Sequence, residues 1–143
     1  MKARMIPQDN VTPPRLRALV VDDREDVAMG LALLLKHMGY TVQMASHAEE
    51  ALEKGERLEP DVVFLDIGLP GSSGYEVCLE MRRRPWGAKA FIVAVTGHDG
   101  PSDMLRAAST GFDRHVAKPM GIATLNEILR TVEGKGALQV MSE

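Results

Sequence analysis

The sequence contains very little cysteine and no long apolar run. Cys78 is the only cysteine, so a disulfide within the chain is impossible and an oxidising compartment gains no support. The apolar stretches are far too short for a membrane span. No apolar segment follows Lys2 and Arg4, as a secretory signal would require. We therefore expect a cytoplasmic protein with no membrane partner.

A strong charge of either sign is also lacking. The formal net charge is −3, so overall charge provides no attraction to nucleic acid or to an anionic membrane. Arg82, Arg83 and Arg84 are interpreted as solvated cations that complement the dipole of a helix end, and we expect no direct nucleic-acid binding. What is present is 45% hydrophobic and 26% charged residues over 143 positions, which is typical of one globular domain.

Hydrophobic periodicity predicts strands that alternate with helices. The strands are predicted over residues 16–21, 40–45, 62–65, 91–95 and 114–117. The helices are predicted over 24–38, from Ser46, from Ser72 or Ser73, from Pro101 to about Gly111, and over 122–132. Short links between such elements imply an α/β fold, a doubly wound parallel sheet with helices on both faces.

Local signals suggest where the helices and the domain begin and end. Asp22 or Asp23 is predicted to cap the first helix, and Ser46 with Glu49 forms a capping-box pattern for the second. Residues 1–15 are predicted to be a flexible tail or linker, 16–132 the folded domain and 133–143 a second tail. Cys78 is predicted to lie in the core, and Trp86 is predicted to pack over a loop.

Four of the predicted strands end in residues that suit a charged ligand. Asp22 and Asp23 follow the first strand, and Asp66 follows the third. Thr96 and Lys118 follow the fourth and fifth strands. Because the carboxyl ends of parallel strands meet at one edge of the sheet, these side chains are expected to converge. The pattern indicates a site for a divalent cation and a phosphoryl group.

Converging carboxylates repel one another, and the repulsion favours a bound cation. At an effective dielectric constant near 20, two such charges about 4 Å apart cost on the order of 4 kcal/mol. Mg²⁺ fits the site because it accepts a few carboxylates together with waters and phosphate oxygens. Lys118 would balance part of the negative charge while the metal is absent. We therefore expect an acidic site whose stability rises with Mg²⁺.

The residues at these strand ends resemble a known family. The motifs are VVDD at 20–23, VFLDIGLPG at 63–71, VTG at 95–97 and VAKP at 116–119. In this order they resemble the receiver domain of two-component response regulators, over about residues 16–132. The resemblance implies a flavodoxin-like sheet with strand order 2-1-3-4-5.

The resemblance also implies a role for each site residue. Asp66 would be the phosphoacceptor, and Thr96 and Lys118 would contact the phosphoryl oxygens. The implied Mg²⁺ ligands are Asp22, Asp23, Asp66 and the backbone carbonyl of Gly68. The Lys118–Pro119 peptide bond is expected to be cis, as it is in such domains.

Further positions are implied to regulate the site. Gly68 and His98 occupy the positions that tune how fast water removes the phosphoryl group. Thr96 and His115 would form the switch, with histidine replacing the tyrosine or phenylalanine that is usual at position 115. An alternative interpretation of His115 is a partly exposed polar strand residue, and the sequence leaves both open.

The implied function is that of a signalling receiver. It would take a phosphoryl group from the phosphohistidine of a histidine kinase or phosphotransfer protein, which would dock on the first helix. The chain would be a stand-alone regulator or the receiver of a hybrid kinase. It would catalyse its own phosphorylation and dephosphorylation, which leaves open whether it counts as an enzyme. A downstream protein or a second copy would bind the face formed by the fourth helix, the fifth strand and the last helix.

Two other functional classes are compatible with the acidic residues. In a phosphate-independent interaction module, the acidic residues would serve only as helix caps. In an aspartyl-phosphate phosphohydrolase, Asp66 would be a turnover nucleophile. A hydrolase of the haloacid-dehalogenase type needs a second aspartate two residues later, and that position is Gly68.

Overall fold

Five parallel strands form one sheet in the computed structural model, which describes residues 16–97 and 109–141. The strands are β1 (Arg17–Val21), β2 (Thr41–Ala45), β3 (Val62–Asp66), β4 (Phe91–Thr96) and β5 (Arg114–Ala117). Their order across the sheet is β2-β1-β3-β4-β5, and each neighbouring pair is parallel. The fold class and the strand order predicted from the sequence are therefore confirmed.

The helices of the described residues cover both faces of this sheet. They are α1 (Glu25–His37), α2 (Ala48–Leu58), α3 (Gly74–Arg82), α4 (Pro85–Lys89) and α5 (Ile122–Met141). Most of the helix predicted from Pro101 to Gly111 lies outside the described residues, as does the predicted tail over 1–15. Within the described ranges, no helix is long and apolar enough to cross a membrane.

The sheet separates two apolar layers. Alternate residues of β1 point to opposite faces, so Ala18 and Val20 pack towards α1 and α5, whereas Leu19 packs towards α2 and α3. The central strand β3 is buried along its whole length. Cys78 is fully buried in the layer on the α3 side, which confirms its predicted place in the core. Each large side chain buried in this way contributes about 1.5–3 kcal/mol.

The helix caps differ in part from the prediction. Neither Asp22 nor Asp23 caps α1, because the N-cap position is occupied by Arg24, which makes no side-chain cap hydrogen bond. The cap of α2 is His47 rather than Ser46, and its Nδ1 accepts a hydrogen bond from the Glu50 backbone at 3.3 Å. Ser73 caps α3 as predicted.

The short helix α4 was not predicted, and it changes the surroundings of Trp86. Pro85 lies at the start of this helix, where its missing N–H costs nothing. Trp86 is buried against α2. A Cβ atom added at Gly55 would stand only 2.5 Å from the Trp86 ring, so this contact requires glycine. The Nε1 atom of Trp86 donates a hydrogen bond to Glu56 at 3.2 Å. The prediction that Trp86 packs over a loop was wrong.

The three consecutive arginines are mostly engaged in protein contacts. Arg82 donates hydrogen bonds to the carbonyls of Gly87, Ala90 and Gly111. It also pairs with Asp113 at 2.8 Å. Arg84 pairs with Glu56 at 3.1 Å, so only Arg83 remains a largely solvated cation. The interpretation of all three as solvated charges was therefore wrong.

The last helix continues beyond its predicted end at Val132. Polar contacts extend α5, since Glu133 accepts a hydrogen bond from the Tyr40 hydroxyl at 2.8 Å. Two residues further along, the Lys135 ammonium lies 5.5 Å from the centre of the Phe91 ring. The apolar pattern marks only the buried part of this helix. The limits of the domain itself stay predictions.

Candidate functional site

Three carboxylates converge at the carboxyl end of the sheet. Asp22 and Asp23 follow β1, and Asp66 is the last residue of the neighbouring strand β3. One carboxylate oxygen from each lies within 4.8 Å of the others. Asp22 and Asp66 are buried, whereas Asp23 is exposed. The predicted convergence of these three residues is confirmed, although their predicted roles are not tested by the geometry.

An ammonium group lies against this cluster. The Nζ atom of Lys118 is 3.1 Å from Asp22 Oδ2 and 3.4 Å from Asp66 Oδ2. Lys118 follows β5 directly, and its backbone N–H donates to the Thr96 carbonyl at 2.7 Å. The Lys118–Pro119 peptide bond is cis, as expected. The contacts leave two unbalanced negative charges, because three carboxylates face one ammonium.

Burial and charge shift the proton affinities within the cluster. Burial raises the pKa of the Asp66 carboxyl, although the hydrogen bond from the Gly68 backbone and the charge of Lys118 oppose the rise. Burial of Lys118 disfavours its charge, but the hydrogen bond to Asp22 and the nearby carboxylates outweigh burial and raise the pKa of the ammonium. The cluster therefore holds Lys118 protonated and surrounds Asp66 with little water.

After Asp66, close packing requires a glycine at position 74 but not at position 68. The start of α3 lies so close that a Cβ at Gly74 would stand 2.7 Å from the Asp66 carbonyl oxygen and 2.6 Å from the Ile67 Cα atom. At Gly68, an added Cβ would be 3.7 Å from Asp66 Oδ1, which is ordinary contact. No local sequence pattern indicates this close approach, because the backbone of Asp66 and Ile67 creates it.

The remaining predicted site residues lie on or beyond the last two strands. Thr96 is buried at the end of β4, the strand between those that lead to Asp66 and Lys118. His115 is half-buried on the edge strand β5, and its Nε2 is buried with no hydrogen-bond partner among the described residues. His98 lies outside the described residues. The switch roles of Thr96 and His115 stay predictions.

A cavity of about 510 Å³ opens beside the acidic cluster. Its walls are mostly apolar and come from α1, from the segment 119–125 and from residues of β1, β3 and β4. Among the described residues that line it, the charged ones are Asp22, Arg24, Asp66 and Lys118. The carboxylates can therefore be approached along the amino-terminal half of α1.

Comparison with known proteins identifies the family to which this arrangement of strand-end residues belongs. The family described as "Response regulator receiver domain" matches residues 18–130. The chain belongs to this family. The match confirms the resemblance seen in the strand-end motifs, and it favours neither the interaction-module nor the phosphohydrolase alternative.

Individual relatives show how far the similarity of this receiver domain extends. The sensory transduction protein RegX3 of Mycolicibacterium smegmatis is 34% identical over 119 residues, which are 83% of this chain and 51% of that protein. The alkaline phosphatase synthesis transcriptional regulatory protein PhoP of Bacillus subtilis is 34% identical over 116 residues, which are 81% of this chain and 48% of that protein. The receiver domain thus spans about half the length of these curated relatives.

A solved structure shares the fold of the receiver domain. It is a response regulator protein from Burkholderia pseudomallei, crystallised with a phosphorylated aspartic acid, a calcium ion and citrate. The TM-score is 0.75 at 26% sequence identity, and the alignment covers 90% of this chain and 75% of that chain.

Proposed function

We propose that Asp66 accepts a phosphoryl group from a phosphohistidine and that the chain acts as the phosphoacceptor of a two-component signalling system. The observation that carries this proposal is the convergence of Asp22, Asp23 and Asp66 within 4.8 Å, with Lys118 paired to two of them. The phosphorylated aspartic acid in the Burkholderia pseudomallei relative supports the same chemistry.

The donor set fits a magnesium ion. Among the described residues, the cluster offers carboxylate oxygens and no nitrogen or sulfur ligand, a set that hard divalent cations prefer. The residues that would hold the ion are Asp22, Asp23, Asp66 and the backbone carbonyl of Gly68. A bound Mg²⁺ would neutralise charge on the phosphoryl oxygens during transfer. The two unbalanced negative charges of the cluster give the site a physical reason to bind it.

The chain's own residues supply the nucleophile and the charge stabilisation. A carboxylate oxygen of Asp66 forms a bond to phosphorus while the phosphorus–nitrogen bond of the phosphohistidine breaks, and the imidazole nitrogen keeps the electron pair. An ionised aspartate needs no general base for this step. Lys118 and Thr96 would bind the phosphoryl oxygens, and such preorganised donors are a major source of catalysis in phosphoryl transfer.

The effect of phosphorylation would be transmitted to the surface through residues of β4 and β5. Movement of Thr96 towards the phosphoryl group would let the ring of His115 turn inwards, which shifts an equilibrium between two surface states. The face formed by the helix predicted from Pro101 to about Gly111, by β5 and by α5 would bind a downstream protein or a second copy. Gly68 leaves the approach of water to phosphorus open, and His98 would also tune the rate of dephosphorylation.

The phosphodonor would dock on α1. This helix borders the acidic cluster and exposes the apolar side chains of Val27, Met29 and Leu33. We propose a histidine kinase or a histidine phosphotransfer protein as this partner, in the cytoplasm, and no direct contact with nucleic acid. The receiver would comprise residues 16–132, either as a stand-alone regulator or within a hybrid kinase.

Intact mass spectrometry tests the proposal. The protein is incubated with acetyl phosphate, with and without Mg²⁺, beside the variants Asp66→Asn and Asp61→Asn. Asp61 precedes β3 and contacts Arg17 at the opposite end of the sheet, so it is a matched control for the loss of one carboxylate. We expect one added phosphoryl group on the wild type and on Asp61→Asn, only with Mg²⁺, and none on Asp66→Asn. No gain of mass, repeated with a phosphohistidine donor, would refute the proposal.

A further inference from the structure

Arg24 is placed at the mouth of the acidic site by its backbone. Its N–H donates a hydrogen bond to Asp22 Oδ1 at 2.9 Å, which fixes the residue next to the carboxylate cluster. Arg24 lines the same cavity as Asp66 and Lys118. The residue therefore lies on the path by which a small ligand reaches the cluster.

The charge of Arg24 is only weakly compensated by the protein. Of the two cations that line the cavity within the described residues, Lys118 is paired with Asp22 and Asp66. The nearest recorded carboxylate to the Arg24 guanidinium is that of Asp26, at 3.8 Å, and the two side chains are 67% and 78% exposed. Such an exposed pair contributes little free energy, so the guanidinium can bind an arriving anion instead.

The position is a poor one for arginine in terms of helix stability. Arg24 is the N-cap of α1, yet its side chain makes no cap hydrogen bond. Serine, threonine, aspartate or asparagine would stabilise the helix there, and a cation beside the positive end of the helix dipole is unfavourable. Residues that do not suit their position in the secondary structure, as here, are expected at functional sites.

The first turn of α1 also creates a need for a cation at this place. When Mg²⁺ balances the unpaired charges of the cluster, an anionic donor must still pass Glu25 and Asp26 in the first turn of α1. A cation at the mouth raises the local concentration of an anion and its rate of encounter, and salt screens this effect. The planar guanidinium can bind two phosphoryl oxygens at once.

We infer that Arg24 is a specificity-determining residue that recruits small dianionic phosphodonors of the acyl phosphate class. The guanidinium binds the phosphoryl oxygens of the donor before they reach Asp66. In the transfer, the Asp66 oxygen–phosphorus bond forms, the bond between phosphorus and the acyl oxygen breaks, and the carboxylate leaves with the electron pair. This inference rests on the proposed function, because it names a donor class for the same site.

Rate measurements with two donors test the role of Arg24. Second-order rate constants are measured with acetyl phosphate, a dianion, and with phosphoramidate, which carries less charge. Arg24→Ala should lower the rate with acetyl phosphate roughly threefold to tenfold at low ionic strength, and the loss should shrink as salt is added. With phosphoramidate the loss should be smaller. Arg24→Lys should retain part of the rate, because it keeps the charge but cannot bind two phosphoryl oxygens in the same planar geometry.

Arg83→Ala is the matched control. Arg83 is an exposed arginine that pairs with Glu80 at 3.0 Å and does not line the cavity, so its removal changes the net charge equally. We expect its rates to equal those of the wild type. An Arg24→Ala rate equal to that of the wild type would overturn the inference, as would equal losses with both donors at all salt concentrations.

A binding measurement separates this inference from the proposed function. Acetylphosphonate is an unreactive dianionic analogue, and its affinity can be followed by NMR titration of each variant. We expect weaker binding to Arg24→Ala than to Arg83→Ala and the wild type. Equal affinities would overturn the role of Arg24 even if Asp66 is phosphorylated. If Arg24→Ala binds the analogue more weakly but the wild type is never phosphorylated, the proposed function is refuted and the role of Arg24 in anion binding is supported.

Discussion

The ammonium nitrogen of Lys118 lies 3.1 Å from Oδ2 of Asp22, and the two residues come from strands that are not neighbours in the sheet. β3 and β4 separate the strands after which they stand. The ion pair therefore links the ends of β1 and β5 over the intervening strands, and it partly offsets the repulsion among the carboxylates.

Removal of Lys118 should destabilise the protein. In Lys118→Met the carboxylates of Asp22 and Asp66 lose their counter-charge, so the free energy of unfolding should fall by about 1–3 kcal/mol, a value reduced for the partial exposure of the lysine. Added Mg²⁺ should restore more stability to this variant than to the wild type. Urea unfolding with and without Mg²⁺ measures both effects. Lys89→Met, at the exposed end of α4, should unfold like the wild type in both conditions.

The hydrogen bond from Tyr40 to Glu133 should make stability depend on alkaline pH. Burial, together with the bond to Glu133, raises the pKa of the Tyr40 hydroxyl. A raised folded-state pKa means that the stabilisation is present below the unfolded pKa near 10 and is lost as the pH rises above it.

Tyr40→Phe should therefore cost about 1–2 kcal/mol at neutral pH and should lose less stability than the wild type above about pH 10. Denaturant unfolding at both pH values checks this. Parallel decline of the two proteins in alkali would show that the pKa of the Tyr40 hydroxyl is not raised in the folded protein.

The thiol of Cys78 should be unreactive in the folded protein. The side chain is fully buried, and this burial raises the pKa of the thiol to about 11. Because the thiolate is the reactive form, a disulfide reagent at pH 8 should label the native protein far more slowly than the urea-unfolded protein. Rapid labelling without denaturant would show that the α3 layer opens readily.

Replacement of Glu59 by glycine should stabilise the protein. Glu59 ends α2 with a φ of 52°, in the left-handed region that glycine adopts without steric cost. Glu59→Gly should raise the free energy of unfolding by about 0.5–1 kcal/mol. Glu53→Gly, in the exposed interior of the same helix, should lower it by about 1 kcal/mol. A loss of stability in both variants would contradict the prediction.

The convergence of the site could be predicted because it depends on simple patterns. Apolar runs that end in Asp22, Asp66 and Lys118 locate strand ends, and parallel strands bring those ends to one edge. The same reasoning could not predict α4, because its five residues are too short for a helical period to be visible.

Other features depend on contacts between distant residues. The carbonyl groups that bind Arg82 come from three separate positions, and nothing in a run of arginines distinguishes a half-buried, hydrogen-bonded guanidinium from a solvated one. The close approach that requires Gly74 is likewise set by the backbone of Asp66 and Ile67. Helix packing and loop closure decide such contacts, and no local pattern encodes them.

The packing of Trp86 against Gly55 has a practical consequence for spectroscopy. The chain has one tryptophan, and it lines a second cavity with Pro60 and Phe91, near the amino ends of the strands and remote from Asp66. The emission of Trp86 therefore reports how α4 packs on α2. A shift in that emission when a phosphoryl mimic binds at Asp66 would mean that the conformational change extends from the site to the opposite end of the strands.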